Sequence, residues 1–224
     1  MINAENKNMK IKIDSVLFIG GLAPHPSYVK THIKQAERIV AADSGIYTAQ
    51  KYNIEPHLII GDMDSIEDES ILKEYPKAKV LRYGKEKDYT DTELGLKILQ
   101  EEGYNNVCLI GGGGGRTDHL LALCRNFNRS YHPVVWFTHN TMAVPVHETY
   151  QFESKKNEVI SVFPLGTEIV HAESKGLRWN LDDIPMNQKN YGISNYTVED
   201  VVSIHVLSGR IIVFRNFTWE KSNE

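Results

Sequence analysis

The chain has 224 residues, of which 41% are apolar and 24% are charged, so it is long enough for one large domain or two smaller ones. The net charge of -4, without any stripe of lysine and arginine, argues against a nucleic-acid-binding protein. Residues 1–10 are polar and no apolar run approaches the length of a membrane span, which predicts a cytoplasmic protein that contacts neither membrane nor nucleic acid.

Apolar runs alternate with segments of helical length through residues 1–139. Continuous apolar runs of this kind are typical of strands that are buried on both faces of a parallel sheet. The predicted strands lie at residues 16–19, 38–42, 58–60, 79–81, 107–110 and 134–137. The predicted helices lie near residues 28–37, 46–52 and 67–75, after Thr90, and at 118–127.

The helix after Thr90 carries the clearest start signal in the chain. Thr90 and Glu93 have the spacing of a capping box, in which the two side chains satisfy backbone amides at the first turn. Leu94 and Ile98 continue one apolar face, and Gly103 is a typical helix end.

From about residue 140 the helical periodicity disappears and short β-rich segments follow. They lie at residues 149–152, 158–163, 168–172, 201–207 and 210–214, and Ser208-Gly209 predicts a hairpin between the last two. We therefore predict an α/β fold with two domains. Residues 1–139 would form a domain with a mostly parallel sheet and flanking helices, and residues 140–224 an all-β sandwich.

Acidic residues follow several predicted strands. Asp43 follows the second, Asp62 and Asp64 follow the third, and Asp91 opens the helix after the fourth. Ligands of open parallel sheets bind at the carboxyl ends of the strands, so these side chains are expected to converge there. If the segment is extended, Asp62 and Asp64 point the same way across Met63, an arrangement that suits Mg²⁺ with substrate phosphates.

Five consecutive glycines, Gly111 to Gly115, follow the fifth predicted strand. They match neither a Walker A loop nor a Rossmann fingerprint, because Ile110 and Arg116 stand where glycines are required. We predict a flexible turn whose amides approach phosphate, with Arg116 as an added cation. Asp and Gly are also common turn formers, so each position taken alone is better explained by a structural turn, whereas the set as a whole favours a binding site.

Six segments in order resemble the motif set of the thiamine pyrophosphokinase family, and the resemblance spans nearly the whole chain. They are ADSG at 42–45, IIGDMDS at 59–65, KDYTDTEL at 87–94, GGRTDH at 114–119, GLRW at 176–179 and GISN at 192–195. The resemblance implies an enzyme that moves the diphosphate of ATP to the hydroxyl of thiamine with Mg²⁺ and releases AMP. It also implies that residues 1–139 are a nucleotide-binding catalytic domain and residues 140–224 a thiamine-binding domain, in a homodimer that binds thiamine where the subunits meet.

The resemblance also implies roles for individual residues. The catalytic metal ligands would be Asp62, Asp64 and Asp91. The ATP-binding residues would be Gly21, Asp43, Lys87, Asp88, Thr90 and Arg116. Five residues would bind thiamine. Asp118 and His119 belong to the motif after the glycine turn, and Trp179, Ser194 and Asn195 belong to the second domain. The chain departs from the usual pattern at Ser44, Tyr47 and His119.

Three alternative functions stay open at this point. An Asp-x-Asp pair also occurs in metal-dependent phosphohydrolases, although there it follows the first strand rather than the third. A pyrophosphokinase of a pterin alcohol would need a similar phosphate site. A non-catalytic sensor would bind both ligands without turnover.

Overall fold

The computed structural model describes residues 11–84, 88–182 and 184–216. These residues form two compact units, one of residues 12–139 and one of residues 140–216 together with Ile11. In the part of the chain described, no helix combines the length and the apolar character needed to cross a bilayer.

The first unit is built on a parallel sheet. Its strands are β1 (Ser15–Phe18), β2 (Arg38–Ala42), β3 (Leu58–Gly61), β4 (Lys79–Arg82), β5 (Val107–Ile110) and β6 (Val135–Phe137). Their spatial order is β6-β5-β1-β2-β3-β4, and every pairing is parallel. All residues of β1, β3 and β5 are buried, as their continuous apolar sequences predict.

The order of the strands locates the place where a ligand can enter. From β1 the chain adds β2, β3 and β4 on one side, and then returns to place β5 and β6 on the other. The loops after β1 and β5 therefore leave the sheet in the crevice where the strand order reverses. Open α/β sheets bind their ligands at such a crevice.

The helices of the first unit are α1 (Pro26–Val29), α2 (Gly45–Tyr52), α3 (Asp91–Glu101) and α4 (Thr117–Asn126), with a 3-10 helix at Glu69–Glu74. The capping box of α3 is confirmed, with Thr90 as N-cap and reciprocal hydrogen bonds to Glu93. Gly95 lets α3 pack closely on the sheet, because a Cβ there would lie 2.8 Å from a methyl carbon of Leu17.

Two helix predictions were wrong in extent. The segment predicted as a helix at 28–37 contains only the end of α1, a single turn, and the segment at 67–75 forms the 3-10 helix. In the first segment only Val29 and Ile33 are fully buried, and in the second only Ile71 is. Such limited apolar burial does not stabilise a long helix, since most helical stability in proteins comes from packing.

The second unit contains two antiparallel sheets. One has the order β11 (Gly192–Tyr196), β9 (Val159–Leu165), β13 (Arg210–Asn216) and β7 (Thr141–Val146), and the other has the order β10 (His171–Lys175), β12 (Val201–Ser208) and β8 (Thr149–Glu153). Arg215 of β13 lies 3.9 Å from the ring centre of Phe152 of β8, so the two sheets touch there, and the same guanidinium forms a half-buried ion pair with Glu158. This arrangement is the predicted sandwich.

The predicted hairpin at Ser208-Gly209 was wrong. β12 and β13 pair with other strands and lie in different sheets. Gly209 has φ of 76°, which lets the chain turn a corner from one sheet to the other. The strand predicted at 168–172 is shifted to β10, and β7 and β11 were not predicted.

Candidate active site

A cavity of about 570 Å³ lies at the carboxyl ends of the strands of the first unit. Most of the predicted ATP and metal residues line it. Those present are Gly21, Asp43, Asp62, Asp64, Thr90, Asp91 and Arg116, with His119 from the predicted thiamine set. Of the remaining predicted residues, Asp88 and Asp118 are not among its lining, Lys87 lies outside the described residues, and Trp179, Ser194 and Asn195 belong to the second unit.

Asp43 is held at the bottom of the cavity by the backbone around it. Its Oδ1 accepts a hydrogen bond from the amide of Met63 at 3.2 Å, and its own amide donates to the carbonyl of Ile60 at 2.8 Å. Gly61 provides the room for this carboxylate, because a Cβ on Gly61 would lie 2.6 Å from Asp43 Cγ and closer still to Oδ1. The carboxylate therefore sits against the backbone of the next strand.

The turn after β3 differs from the extended segment that was expected. Met63 has φ of 66°, a left-handed conformation, and the amide of Asp64 donates to Asp62 Oδ1 at 3.1 Å. The chain therefore folds back at Met63 and brings the backbone of Asp64 to the carboxylate of Asp62. The extended geometry was wrong, because the alternation of side chains ends where the strand ends.

The carboxylates interact electrostatically. Burial raises the pKa of Asp43, and a side-chain hydrogen bond with Asp91, the charge of Asp91 and the charge of Asp62 raise it further, to about 7, against the lowering effect of the Met63 amide. A carboxylate whose pKa is raised by neighbouring carboxylates is stabilised as an anion by a nearby cation.

This donor set fits Mg²⁺, which takes one or two carboxylates together with waters and substrate phosphates. The residues described contain no group of three or more His, Cys, Asp or Glu side chains already arranged to hold a metal. The sharing of one ion by Asp62, Asp64 and Asp91 therefore stays a prediction.

The glycine turn is held in place rather than flexible. The amide of Gly111 donates to the carbonyl of Phe137 at 3.0 Å, that of Gly112 donates to Gly20 at 2.7 Å, and Gly113 forms two hydrogen bonds with Leu22. The loops after β1 and β5 are thus joined through their backbones. The buried indole N–H of Trp136 also donates to the carbonyl of Gly111 at 2.9 Å.

Arg116 follows the glycine turn as the N-cap of α4. Its guanidinium binds the carboxylate of Asp118 through two hydrogen bonds of 2.6 Å and 3.2 Å, and this pairing raises the pKa of Arg116 and lowers that of Asp118. Both side chains are largely exposed. Exposed pairs of this kind are weakly held, so a phosphate can compete for the arginine.

The predicted thiamine residues of the second unit form a compact group. Trp179 is 54% exposed, and its ring centre lies 6.0 Å from that of Tyr196. Asn195 is buried, and its amide accepts from the backbone N–H of Trp179 at 3.2 Å and donates to the carbonyl of Trp179 at 2.6 Å. Asn195 therefore orients Trp179, and Ser194 is exposed beside it with φ of 57°.

Some lining residues were not among the predicted site residues, although Ser44 and Ser65 lie within the quoted motifs. The hydroxyl of Ser65 accepts from the amide of Ser44 at 3.1 Å and ties the loops after β2 and β3 together. Ala122, Leu123 and Asn126 line the cavity from the far end of α4. Only the helical spacing from Arg116 would have placed them on one face.

Comparison with known proteins agrees with this geometry. A family model described as the thiamin pyrophosphokinase catalytic domain matches residues 29–135, and one described as the thiamin pyrophosphokinase vitamin B1 binding domain matches residues 147–211. The chain belongs to the thiamine pyrophosphokinase family. The catalytic model falls within the first unit and the vitamin B1 model within the second.

Individual members of the thiamine pyrophosphokinase family resemble the chain over different lengths. Thiamine pyrophosphokinase 1 of Oryza sativa subsp. japonica is 28% identical over 171 residues, which cover 66% of this chain and 62% of the rice protein. The thiamin pyrophosphokinase structure from Geobacillus thermodenitrificans is 22% identical with a TM-score of 0.72, over 92% of this chain and 99% of that one. The yeast thiamin pyrophosphokinase structure is 19% identical with a TM-score of 0.73, over 99% and 94% of the two chains.

Proposed function

We propose that the protein is an ATP-dependent thiamine diphosphokinase, which makes thiamine diphosphate and AMP. The observation that supports this most strongly is the succession of the catalytic and vitamin B1 family models, one on each unit. The acidic cavity at the sheet crevice supplies the chemistry that such a reaction needs. In the reaction, the hydroxyl oxygen of thiamine forms a bond to the β-phosphorus of ATP, the bond to the bridging oxygen of AMP breaks, and the hydroxyl proton is released.

The residues of the cavity divide this work. Phosphoryl-type transfer depends mainly on positioning and on neutralising charge. The amides of Gly111, Gly112 and Gly113 already donate to backbone carbonyls, whereas Gly114 and Gly115 are exposed. We therefore assign Gly114, Gly115 and Arg116 to the phosphates. Gly21, Asp43 and Thr90 also line the cavity, and we assign them to the nucleotide together with Lys87 and Asp88.

Mg²⁺ would be held by Asp62, Asp64 and Asp91, where it would neutralise the polyphosphate. The carboxylates of Asp62 and Asp91 both bear on the pKa of Asp43, which supports their convergence on one place. Asp91 is also the first residue of α3, where the helix itself favours an anion, so a purely structural role is the competing explanation.

For thiamine, we assign Trp179 as the ring on which the cationic substrate stacks, since it is exposed and aromatic. Ser194 and Asn195 would support Trp179. Asp118 and His119, which follow the glycine turn, would contact the same substrate. We further propose a homodimer in which thiamine binds between subunits. A cytoplasmic location stays a prediction of the sequence.

An AMP-release assay tests the proposed activity. With Mg²⁺ and ATP, AMP should appear only when thiamine is added, together with one thiamine diphosphate per AMP. Phosphate release without thiamine would show a phosphohydrolase instead, and binding of both ligands without AMP would show a sensor. If a pterin alcohol is used in preference to thiamine, the substrate assignment is wrong.

A mixing experiment tests the shared site. At thiamine concentrations well below KM, Asp62→Asn and Trp179→Ala homodimers should each turn over poorly. When they exchange subunits, one site of each mixed dimer would regain both wild-type side chains, so activity should return if the site is shared. Activity that stays at the level of the separate variants would place both residues in the same subunit's site.

A further inference from the structure

Asn126 is a buried polar residue at the end of the candidate active site. It is the last residue of α4, it is 2% exposed, and it lines the 570 Å³ cavity. It also lines a neighbouring cavity of about 450 Å³, whose other walls come from Tyr89, from α3 and from the segment after α4. Asn126 therefore forms a wall common to both cavities.

The two polar atoms of its amide are in different situations. Nδ2 donates a hydrogen bond to the carbonyl of Ala122 at 3.2 Å. Oδ1 is the buried side-chain polar atom without a hydrogen-bond partner among the described residues. Rotating the amide would place its oxygen against the Ala122 carbonyl, so the orientation is fixed by chemistry. A buried acceptor left unpaired destabilises the fold, and such groups in native proteins call for an explanation.

The surroundings of Asn126 indicate which kind of donor it meets. Ala122 and Leu123 share the cavity wall with it, and their apolar surface suits an aromatic ring better than a sugar. Arg116 lies ten residues earlier along the same helix, about 15 Å away at the rise of an α-helix. A ligand whose phosphates lie at Arg116 can therefore place a ring near Asn126.

We propose that the Asn126 side chain turns to present Oδ1, which is closed off from solvent here, to the cavity, where it accepts a hydrogen bond from the exocyclic amine of a bound heteroaromatic ring. This inference rests on the proposed function, because both substrates of that reaction carry such an amine, ATP on its adenine and thiamine on its aminopyrimidine. Asn126 is then a specificity-determining residue that rejects rings carrying an oxo group at that position. A site built around one hydrogen bond discriminates strongly against ligands that cannot make it.

Calorimetric titration with matched ligands tests the proposal. ATP is compared with the purine riboside triphosphate that lacks the amine, and thiamine with the analogue that carries an oxo group instead. In the wild type, one of the two analogues should bind about tenfold or more weakly than its parent, and the pair that responds identifies the ring. If the wild type distinguishes neither pair, the proposal is overturned.

Variants of Asn126 give the second arm. The Asn126→Leu variant should bind the amine-bearing parent ligand no more tightly than it binds the analogue. The ligand-free variant should unfold at the same or a higher temperature than the wild type, because the unpaired acceptor is gone. A lower unfolding temperature with full discrimination would mean that a bound water or a structural contact satisfies Asn126, and would overturn the proposal.

Two further measurements keep the outcome clear. Asn128→Leu, an exposed change two residues later, should leave discrimination unchanged, and an equal loss there would reject Asn126 as the cause. If Asn126→Leu does not fold, Asn126→Ser replaces it with the same expected loss. Wild-type AMP release is recorded in parallel: its absence rejects the proposed function, whereas titrations that show no discrimination beside normal AMP release reject only the role of Asn126.

Discussion

Replacing Gly61 with alanine should break the candidate site through the backbone. Gly61 has φ of 138°, a conformation that costs a non-glycine residue about 1–3 kcal/mol. The new Cβ would lie 2.6 Å from Asp43 Cγ, so the carboxylate must move and its hydrogen bond from Met63 is lost, at about 0.5–1.5 kcal/mol. The total loss of unfolding free energy is roughly 2–4 kcal/mol, which corresponds to a Tm lower by roughly 5–15 °C.

Gly103→Ala is the matched control for this experiment. Gly103 also has a positive φ, of 90°, but a Cβ there would meet nothing within 4 Å. It should lose only about 1–2 kcal/mol and keep its activity. Thermal unfolding by circular dichroism and AMP release are measured for both. If Gly61→Ala matches Gly103→Ala in both Tm and turnover, the close approach of Gly61 to Asp43 has no functional importance.

Four further outcomes are expected. Asp62→Asn and Asp91→Asn should each abolish turnover, by about a thousandfold or more, with an unchanged circular dichroism spectrum; near-normal rates in both would reject the metal assignment. Trp179→Ala should raise KM for thiamine about tenfold and leave KM for ATP unchanged, and an equal effect on both would make this tryptophan structural. Since the fold raises the pKa of Asp43 from 3.8 to about 7, it favours the protonated carboxyl. The stability this group contributes is complete below pH 3.8 and is lost as pH rises through about 7, so Tm without metal should fall over that window and Asp43→Asn should flatten the profile. Trp136→Phe removes the indole donor to the glycine turn and should cost about 1–3 kcal/mol with a raised KM for ATP, whereas an unchanged KM would separate that hydrogen bond from phosphate binding.

The sequence predicted the parts of the fold that local chemistry determines. The buried strands of the first unit are continuous apolar runs, and the Thr90–Glu93 capping box fixes the start of α3 without help from the rest of the chain. The convergence of Asp43 and Asp62 follows from a parallel sheet, because the carboxyl ends of its strands meet at one edge.

The parts that were missed depend on distant contacts. The corner at Gly209 has the local chemistry of a hairpin, and only the pairing of β13 with β7 and β9 decides against it. The left-handed turn at Met63 is stabilised by a hydrogen bond to Asp43, 20 residues earlier in the chain. No residue pattern predicts a role for Asn126, because that role depends on its Oδ1, which has no hydrogen-bond partner among the described residues.

The backbone hydrogen bonds between the loops after β1 and β5 limit how this protein can change. Gly112 donates to Gly20, and Gly113 exchanges hydrogen bonds with Leu22, so the two loops keep a fixed register. An insertion or deletion in one loop would uncouple it from the other unless the second changed as well. We therefore expect these two loops to vary in length together during evolution, and grafts that replace only one of them to fail.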